Sequence, residues 1–307
     1  MNYSIIKRND RIAAIDLGSN NCRLIIVEIV GCNYKIIHMS SELINLGENL
    51  VYSNEFTKNK IRKVVEFFQY AAKKINDFKV SKYRFVATEA CRQSINSDHL
   101  INEIFKKTNL NLEIISPREE ARLCIKSCPV NRNDNINFDI IFDIGGGSTE
   151  IIFINEFNDF NFFSIPYGVV NLSEKIDVFN KKKVLDNIDY EIAKNTKQIV
   201  KKKTNNVIGS CGTVTTLCAV FQKLNSYKKE KVDEYLMSFK DLMLTSKFVQ
   251  NMSDYEKGKH PCIGIKRKKL LSNGILILEA ISKNYEIKKI LVSDAGIKEG
   301  IIRDMIN

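Results

Sequence analysis

The chain has few of the residues that mark disordered, collagen-like or linker-rich proteins. Its 307 residues include only four prolines and 14 glycines, a composition that excludes those classes. No apolar run approaches the roughly 20 residues that a helix needs to cross a bilayer, so we expect no contact with a membrane. The N-terminal sequence MNYSIIKRND lacks the apolar core and cleavage site of a signal peptide. The sequence therefore indicates a cytoplasmic globular protein.

Histidine is scarce, and the cysteines are not spaced for a metal or for disulfides. The chain has three histidines and eight cysteines, and no two cysteines form a C-x-x-C pair. Zinc sites and disulfide frameworks depend on such spacings. Several cysteines lie in apolar stretches, where a reduced cysteine behaves as a small hydrophobic residue. We therefore expect reduced, mostly buried thiols.

The chain carries an excess of positive charge on an otherwise ordinary globular composition. It is 44% hydrophobic and 27% charged, and its net charge is +11. Its length of 307 residues suffices for one large domain or two ordinary ones. Most of the basic residues are lysines, whereas proteins that recognise nucleic acids favour the bidentate arginine. We expect no specific nucleic acid. The lysines either coat the surface or attract a polyanionic substrate.

A pattern near the N-terminus recurs in the middle of the chain. The apolar run Ile12–Asp16, a small polar turn and a second apolar run, Cys22–Ile29, predict a β-hairpin. The runs Asp139–Asp143 and Thr149–Asn155, joined by Ile-Gly-Gly-Gly-Ser, repeat it. A repeat at this separation is too long for a solenoid and predicts two related domains that face each other.

The two turns share an aspartate and a glycine at equivalent places: Asp16 matches Asp143, and Gly18 matches Gly145. Glycine lets the backbone approach an anion, and successive N–H groups of a turn form an anion-binding concavity. The strand-end aspartate can hold Mg²⁺, directly or through water. Tight hairpins also use Asp and Gly for their geometry alone, but two copies favour a cleft that binds phosphate.

Two glycine-rich segments share features with known phosphate-binding motifs. A helix should follow the glycines of a dinucleotide fingerprint, but the strand-like Thr149–Ile154 follows Gly145–Gly147. No Gly-Lys-Ser/Thr sequence follows these glycines, and this absence excludes a Walker A loop. Gly209–Thr213 does precede a helical segment, whose first N–H groups could bind a phosphate. A simple N-capped helix is the other interpretation of that segment.

The remaining periodicities outline the rest of the fold. They predict helices over 56–78, 119–127, 181–203, 213–221 and 268–282 and a C-terminal helix from Ala295, and strands over 34–39, 84–88, 112–115, 206–209 and 289–292. We place the domain boundary in the Asn- and Asp-rich segment 129–137. Domain I would then comprise residues 1–129 with the C-terminal helix 295–307, and domain II residues 130–294.

Five motifs follow one another along the chain: Ala14–Leu24, Ala87–Gln93, Ile114–Arg122, Phe142–Glu150 and Gly209–Thr216. In sequence and order they resemble the exopolyphosphatase/guanosine pentaphosphate phosphohydrolase (Ppx/GppA) family. The resemblance covers essentially the whole chain. It implies an α/β protein of two actin-like (ribonuclease H-like, ASKHA) domains flanking an interdomain cleft. Without the His-Asp dipeptide of the HD-type C-terminal extension, the chain resembles the short, two-domain members.

The resemblance also implies a reaction, which is the hydrolysis of a terminal phosphoanhydride with Mg²⁺ or another divalent cation. The expected substrate is inorganic polyphosphate, from which orthophosphate is released. The alternative is guanosine pentaphosphate with the same chemistry. A non-catalytic sensor that binds polyphosphate or a nucleotide is the alternative from another class. A homodimer is left open.

The family's functional residues map onto positions of this chain. The catalytic base would be Glu120, while Glu119 would complement the N-terminus of its helix. The metal would be held by Asp143, Glu150 and Asp16. The phosphate-binding residues would be Asp16, Gly18, Ser19, Asn20, Arg23, Arg92, Gly145, Gly146, Gly147, Ser148, Thr149, Gly209, Ser210, Gly212 and Thr213.

Overall fold

The computed structural model of the chain describes residues 10–129, 138–154, 159–199 and 206–306. The chain forms two compact units, Met1–Ser127 with Ile297–Asn307 (unit 1) and Cys128–Gly296 (unit 2). Most of the segment expected to separate the domains, residues 130–137, lies outside the described residues. As limits of independently folding domains, residues 129 and 294 stay a prediction.

Unit 1 is built on a five-stranded sheet. Its strands are β1 (Arg11–Leu17), β2 (Asn21–Val30), β3 (Asn33–Leu43), β4 (Lys82–Ala87) and β5 (Glu113–Ile114). Their order is β3-β2-β1-β4-β5. The helices are α1 (Leu50–Ser53), α2 (Lys58–Asp77), α3 (Glu89–Gln93), α4 (Ser97–Thr108), α5 (Pro117–Ser127) and the C-terminal helix (Ile297–Ile306).

The central strand β1 is covered on both faces. Ala13, Ile15 and Leu17 pack into a core with residues of α2 and α4. Ile12 and Ala14 pack into a second core with residues of α5 and the C-terminal helix. A strand buried on both faces needs a continuous apolar run instead of an alternating one, which explains the sequence of β1. The first turn of the repeat begins where β1 ends, at Leu17.

Unit 2 is built on a six-stranded sheet. Its strands are β6 (Ile140–Ile144), β7 (Thr149–Ile154), β8 (Phe160–Ile165), β9 (Asn206–Gly209), β10 (Leu236–Ser238) and β11 (Lys289–Val292). Their order is β10-β11-β9-β6-β7-β8. The helices are α6 (Asn171–Phe179), α7 (Lys181–Ile199), α8 (Gly212–Phe221), α9 (Lys229–Val232), α10 (Phe239–Asn251), α11 (Asp254–Lys259) and α12 (Gly264–Asn284).

The predicted repeat is confirmed in both units. β1 pairs antiparallel with β2 and parallel with β4. In the same way, β6 pairs antiparallel with β7 and parallel with β9. The α/β class is therefore confirmed as well. The tails of two predicted elements, residue 155 and residues 200–203, lie outside the described part of the chain.

Several elements were not predicted from the sequence, namely α1, α3, α4, α6, β8 and the segment from α9 to α11. Helix α11 did carry a local signal, because Ser253 and Glu256 form a capping box. Helix α3 has only five residues, too few for a helical period to be recognised. Over the residues described, we find no helix with the length and apolar character needed to span a membrane.

Candidate active site

In unit 1, the turn between β1 and β2 places a buried carboxylate beside an arginine. Asp16 and Arg23 are paired across the hairpin, and Nη1 of Arg23 donates to Oδ2 of Asp16 at 3.3 Å. Asp16 is 4% exposed, and its Oδ1 has no hydrogen-bond partner among the described residues. Burial raises the pKa of Asp16, against the opposing charges of Arg23 and Lys298. The carboxylate thus has one oxygen able to accept a further ligand.

The backbone of this first turn is fixed from two directions. The N–H of Gly18 donates to the carbonyl of Asn21 at 3.0 Å, which closes the turn. The N–H of Gly47 donates to the carbonyl of Ser19 at 2.7 Å. A Cβ on Gly47 would lie 2.8 Å from Cβ of Ser19, so only glycine allows this approach. The predicted phosphate-binding residues Gly18, Ser19 and Asn20 therefore form an ordered turn at the end of β1.

In unit 2, the equivalent turn lies between β6 and β7. Asp143 and Glu150 are paired across this hairpin. Glu150 is 1% exposed, and its Oε1 accepts hydrogen bonds from the hydroxyls of Ser148 at 2.7 Å and Ser164 at 2.8 Å. These two hydroxyls fix the Glu150 carboxylate beside Asp143.

The triple-glycine turn is held through its carbonyl groups. The carbonyls of Gly145 and Gly146 accept from the backbone N–H groups of residues 169 and 170 at 2.9 and 2.8 Å. The carbonyl of Gly147 accepts from the side-chain amide of Asn171 at 2.7 Å. Successive N–H groups of such a turn can form an anion-binding concavity, and these contacts hold its carbonyl groups in place. Asn171 was not predicted from the sequence, because no local motif marks it.

The third predicted phosphate loop joins β9 to α8, also in unit 2. The hydroxyl of Ser210 donates to the carbonyl of Ala295 at 2.8 Å, and Thr213 in the first turn of α8 is buried. Cys211 occupies the N-cap position, where Ser, Thr, Asp or Asn is preferred; this disfavours the simple N-capped helix. Burial, and then the charge of Asp143, raise the pKa of Cys211 to about 12. The loop therefore lies within electrostatic reach of Asp143.

The candidate base, Glu120, lies in the first turn of α5 in unit 1. The helix begins as predicted, with Pro117 in its first position and the Ser116 hydroxyl accepting from the N–H of Glu119 at 3.2 Å. Glu120 is 7% exposed. Its Oε2 accepts a hydrogen bond of 2.8 Å from Nη2 of Arg92. A buried carboxylate oriented by an arginine is suited to accept a proton from a bound water.

Arg92, expected to bind a phosphoryl oxygen, is held by protein oxygens in unit 1. Besides Glu120, it donates through Nε to Oε2 of Glu89 at 2.8 Å and through Nη1 to the carbonyl of Ile115 at 2.9 Å. All three guanidinium nitrogens are thus engaged. Three hydrogen bonds use three of the five N–H groups of an arginine, so a phosphoryl contact by Arg92 stays a prediction.

Glu119 has a broader role than complementing a helix N-terminus. Its carboxylate accepts from Nε of Arg122 at 2.7 Å and from Nη2 of Arg84 at 2.9 Å. Hydrogen bonds from Arg122, and then from Arg84, lower the pKa of Glu119. Both arginines also bind Asp304 of the C-terminal helix. Glu119 therefore belongs to an ion-pair network that joins α5 to the C-terminal helix.

The predicted metal ligands Asp16, Asp143 and Glu150 are divided between the two units. Within the described residues, no group of three or more His, Cys, Asp or Glu side chains could hold one metal ion. Asp16 belongs to unit 1, and Asp143 and Glu150 belong to unit 2. Their carboxylate oxygens are the ligands that Mg²⁺ prefers. The buried Oδ1 of Asp16 is suited to a hydrated cation, since it has no hydrogen-bond partner within the described part of the chain.

Two charged residues of the C-terminal helix lie near Asp16 and were not found from the sequence. Lys298 and Glu299 form an ion pair of 2.7 Å, and their side chains are only 11% and 4% exposed. Both act on the pKa of Asp16, which Lys298 lowers and Glu299 raises. They follow Asp16 by more than 280 residues, so no spacing rule could have linked them.

Comparison with known proteins identifies related sequences. A sequence model of the Ppx/GppA phosphatase family matches residues 25–307. A bifunctional 3-dehydroquinate synthase/phosphatase of Fusobacterium nucleatum is 31% identical over 94% of this chain, which spans 45% of that relative's length. A putative exopolyphosphatase of Haemophilus influenzae is 24% identical, and the match covers 98% of this chain and 95% of that protein.

Comparison of structures agrees with the comparison of sequences. A Ppx/GppA family member from Aquifex aeolicus superimposes with a TM-score of 0.81 at 25% identity, over 97% of this chain and 97% of that one. This likeness confirms the predicted α/β architecture of two actin-like domains. Since the family model also covers the segments that carry Glu120, Asp143 and the β9–α8 loop, the chain belongs to the Ppx/GppA phosphatase family.

Proposed function

We propose that this chain is an exopolyphosphatase, which hydrolyses the terminal phosphoanhydride of inorganic polyphosphate and releases orthophosphate. The single observation that carries the proposal is the buried Glu120, whose carboxylate is bound by Arg92 at 2.8 Å. The relative from Haemophilus influenzae is named as a putative exopolyphosphatase, and the match covers nearly the whole length of both proteins. This match supports the choice of substrate.

In the proposed reaction, Glu120 takes a proton from a water molecule whose oxygen attacks the terminal phosphorus. The bond between that phosphorus and the bridging oxygen breaks, and the shortened polyphosphate leaves with the bridging oxygen. Backbone N–H groups of the loops at Gly18–Asn20, Gly145–Thr149 and Gly209–Thr213, together with Arg23, bind the phosphoryl oxygens. Phosphoryl transfer depends mainly on such positioning and charge neutralisation.

Asp16 in unit 1 and the pair of Asp143 and Glu150 in unit 2 are the carboxylates we propose for a divalent cation, which would neutralise charge that develops on the phosphoryl oxygens. The contributions of the protein itself do not depend on the identity of that cation. Oδ1 of Asp16 accepts no hydrogen bond from any residue that the structure describes, and Ser148 and Ser164 orient the Glu150 carboxylate. We include a cytoplasmic location in the proposal, because all eight cysteines are unpaired, as is usual in reducing compartments.

The test is phosphate release from long-chain polyphosphate, guanosine pentaphosphate and ATP, measured side by side with Mg²⁺. We expect the largest kcat/KM for polyphosphate. A larger kcat/KM for guanosine pentaphosphate would make that nucleotide the substrate and leave the proposed hydrolysis of a terminal phosphoanhydride unchanged. If the protein binds polyphosphate but releases phosphate from none of the three compounds, the proposed enzymatic activity is wrong and a non-catalytic sensor is favoured. Glu120→Gln serves as the control for contaminating phosphatases.

A further inference from the structure

Glu89, in the first turn of α3, holds the arginine that binds Glu120. Its Oε2 accepts from Nε of Arg92 at 2.8 Å, and Nη2 of Arg92 lies 2.7 Å from the same oxygen. Its Oε1 accepts from the side-chain amide of Gln93 at 2.7 Å. The side chains of Glu89 and Arg92 are each 15% exposed. Both oxygens of Glu89 are therefore fixed by neighbours on its own helix.

One guanidinium is thus shared between two carboxylates. Nη2 of Arg92 lies within hydrogen-bond distance of both Glu89 and Glu120, at 2.7 and 2.8 Å. Burial lowers the pKa of Arg92, but the charges of Glu120 and Glu89 outweigh it and raise the pKa above its usual value. Arg92 also holds the carbonyl of Ile115, just before α5. The same side chain therefore fixes Glu120 and the entry to its helix.

Three other carboxylates on α5 and the C-terminal helix are paired with partners of their own. Glu119, on α5, is bound by Arg84 and Arg122. On the C-terminal helix, which packs against α5, Asp304 is bound by Arg122, and Glu299 is bound by Lys298. Glu120 pairs with Arg92, and Arg92 also pairs with Glu89.

We propose that Glu89 is a positioning residue for hydrolysis: it directs Arg92 onto Glu120 and, by sharing the guanidinium charge, keeps the Glu120 carboxylate basic. The inference rests on the proposed function, in which Glu120 is the base. An adjacent arginine lowers the pKa of a carboxylate by about 1–3 units. A general base becomes weaker as its pKa falls below the working pH. A second carboxylate on the same arginine offsets part of that loss.

The experiment measures kcat and KM for polyphosphate across pH with the wild type, Glu89→Gln, Glu120→Gln and Glu103→Gln. Glutamine keeps the shape of Glu89 but removes its charge, so Arg92 acts on Glu120 alone. We expect Glu89→Gln to lower kcat about 3- to 10-fold, to leave KM within about twofold, and to shift the acid limb of the profile down by roughly half a pH unit to one unit. Glu103, on α4, pairs with Lys106 at 3.5 Å, so Glu103→Gln removes the same charge and should change none of these.

The outcomes separate this inference from the proposed function. If Glu120→Gln abolishes turnover but Glu89→Gln leaves the acid limb in place, the role of Glu89 is wrong and Glu120 remains the base. A lower KM for Glu89→Gln with an unmoved limb would mean that Arg92 binds substrate, which also overturns the inference. A fall in activity that follows only a fall in Tm, with the profile unchanged, would show a structural role. If Glu120→Gln retains near-normal turnover, both proposals fail.

Discussion

Glu119 and Glu120 are consecutive in the chain, yet their carboxylates bind different arginines. Glu119 accepts from Arg84 and Arg122, and Glu120 accepts from Arg92. The first pair of contacts joins α5 to β4 and, through Asp304, to the C-terminal helix. The second joins α5 to α3. Two consecutive residues in the first turn of α5 therefore have different roles: Glu119 is a structural carboxylate, and Glu120 is the carboxylate proposed to act on water.

The Glu120→Gln substitution tests that separation directly. We expect it to keep the fold and substrate binding but to lower kcat by roughly 10²–10⁴-fold, the scale of a lost general base. Glu119→Gln should instead lower Tm with a much smaller effect on kcat. The measurement is kcat and KM for polyphosphate alongside thermal unfolding. The assignment is wrong if Glu119→Gln abolishes turnover while Glu120→Gln does not.

The Asp143→Asn substitution tests the proposed metal ligands. We expect a clear loss of activity with only a small change in Tm, because the amide that replaces the carboxylate has no negative charge with which to bind a divalent cation. Activity of the wild type should also be lost in excess chelator and return when Mg²⁺ is added. Full activity in chelator would overturn the metal assignment for Asp16, Asp143 and Glu150 together.

Salt dependence should distinguish a long polyanion from a nucleotide. If the surface lysines bind the polyphosphate chain, each contact is weak, but several together make affinity fall steeply with ionic strength. We expect KM for long-chain polyphosphate to rise more steeply between low and physiological salt than KM for short chains or guanosine pentaphosphate. If KM rises equally with salt for all three substrates, the lysines behind the net charge of +11 have no role in substrate binding.

The ion-pair network at Asp304 should stabilise the protein in a pH-dependent way. Hydrogen bonds from Arg122 lower the pKa of Asp304 and of Glu119. Carboxylates with lowered pKa stabilise the fold above their unfolded pKa, near 4, and lose that effect as pH falls through the folded value. We expect Asp304→Asn to cost about 1–2 kcal/mol at pH 7, and the difference in Tm to shrink in acid.

The control for that measurement is Glu66→Gln. Glu66 pairs with Arg62 at 3.8 Å on the surface of α2, and both side chains are more than half exposed. Such pairs contribute about 0–1 kcal/mol, so its Tm should change little at any pH. A loss that is the same for Asp304→Asn in acid and at pH 7 would show that the network does not depend on charge.

The glycine at 168 should be needed for the triple-glycine turn. A Cβ there would overlap the carbonyl group of Gly146 and lie 2.6 Å from the nitrogen of Gly147. We expect Gly168→Ala to displace that turn and to lower kcat/KM for polyphosphate at least about tenfold, the effect of misplacing a group that positions the substrate. Gly258→Ala, whose Cβ would make an ordinary contact of 3.6 Å with Ile265, is the matched control. Normal activity of Gly168→Ala would show that this turn does not bind the substrate.

The sequence by itself determined the two hairpins, their repeat and the start of α5. These features depend on local rules: the apolar runs of β1 and β6 form strands because both faces are buried, and Ser116-Pro117 begins a helix because Pro suits its first position. The bounds of β11 were predicted to the residue. Each of these signals is complete within a segment of the chain.

Only the tertiary structure decided which charges meet. Arg92 and Glu120 are 28 residues apart, and Arg122 and Asp304 are 182 residues apart. The roles of Glu89, Asn171 and Lys298 likewise depend on neighbours that no local pattern encodes. The physical reason is that a helix or strand is specified by its own periodicity, whereas an ion pair forms only where packing brings two distant segments together and shields them from water.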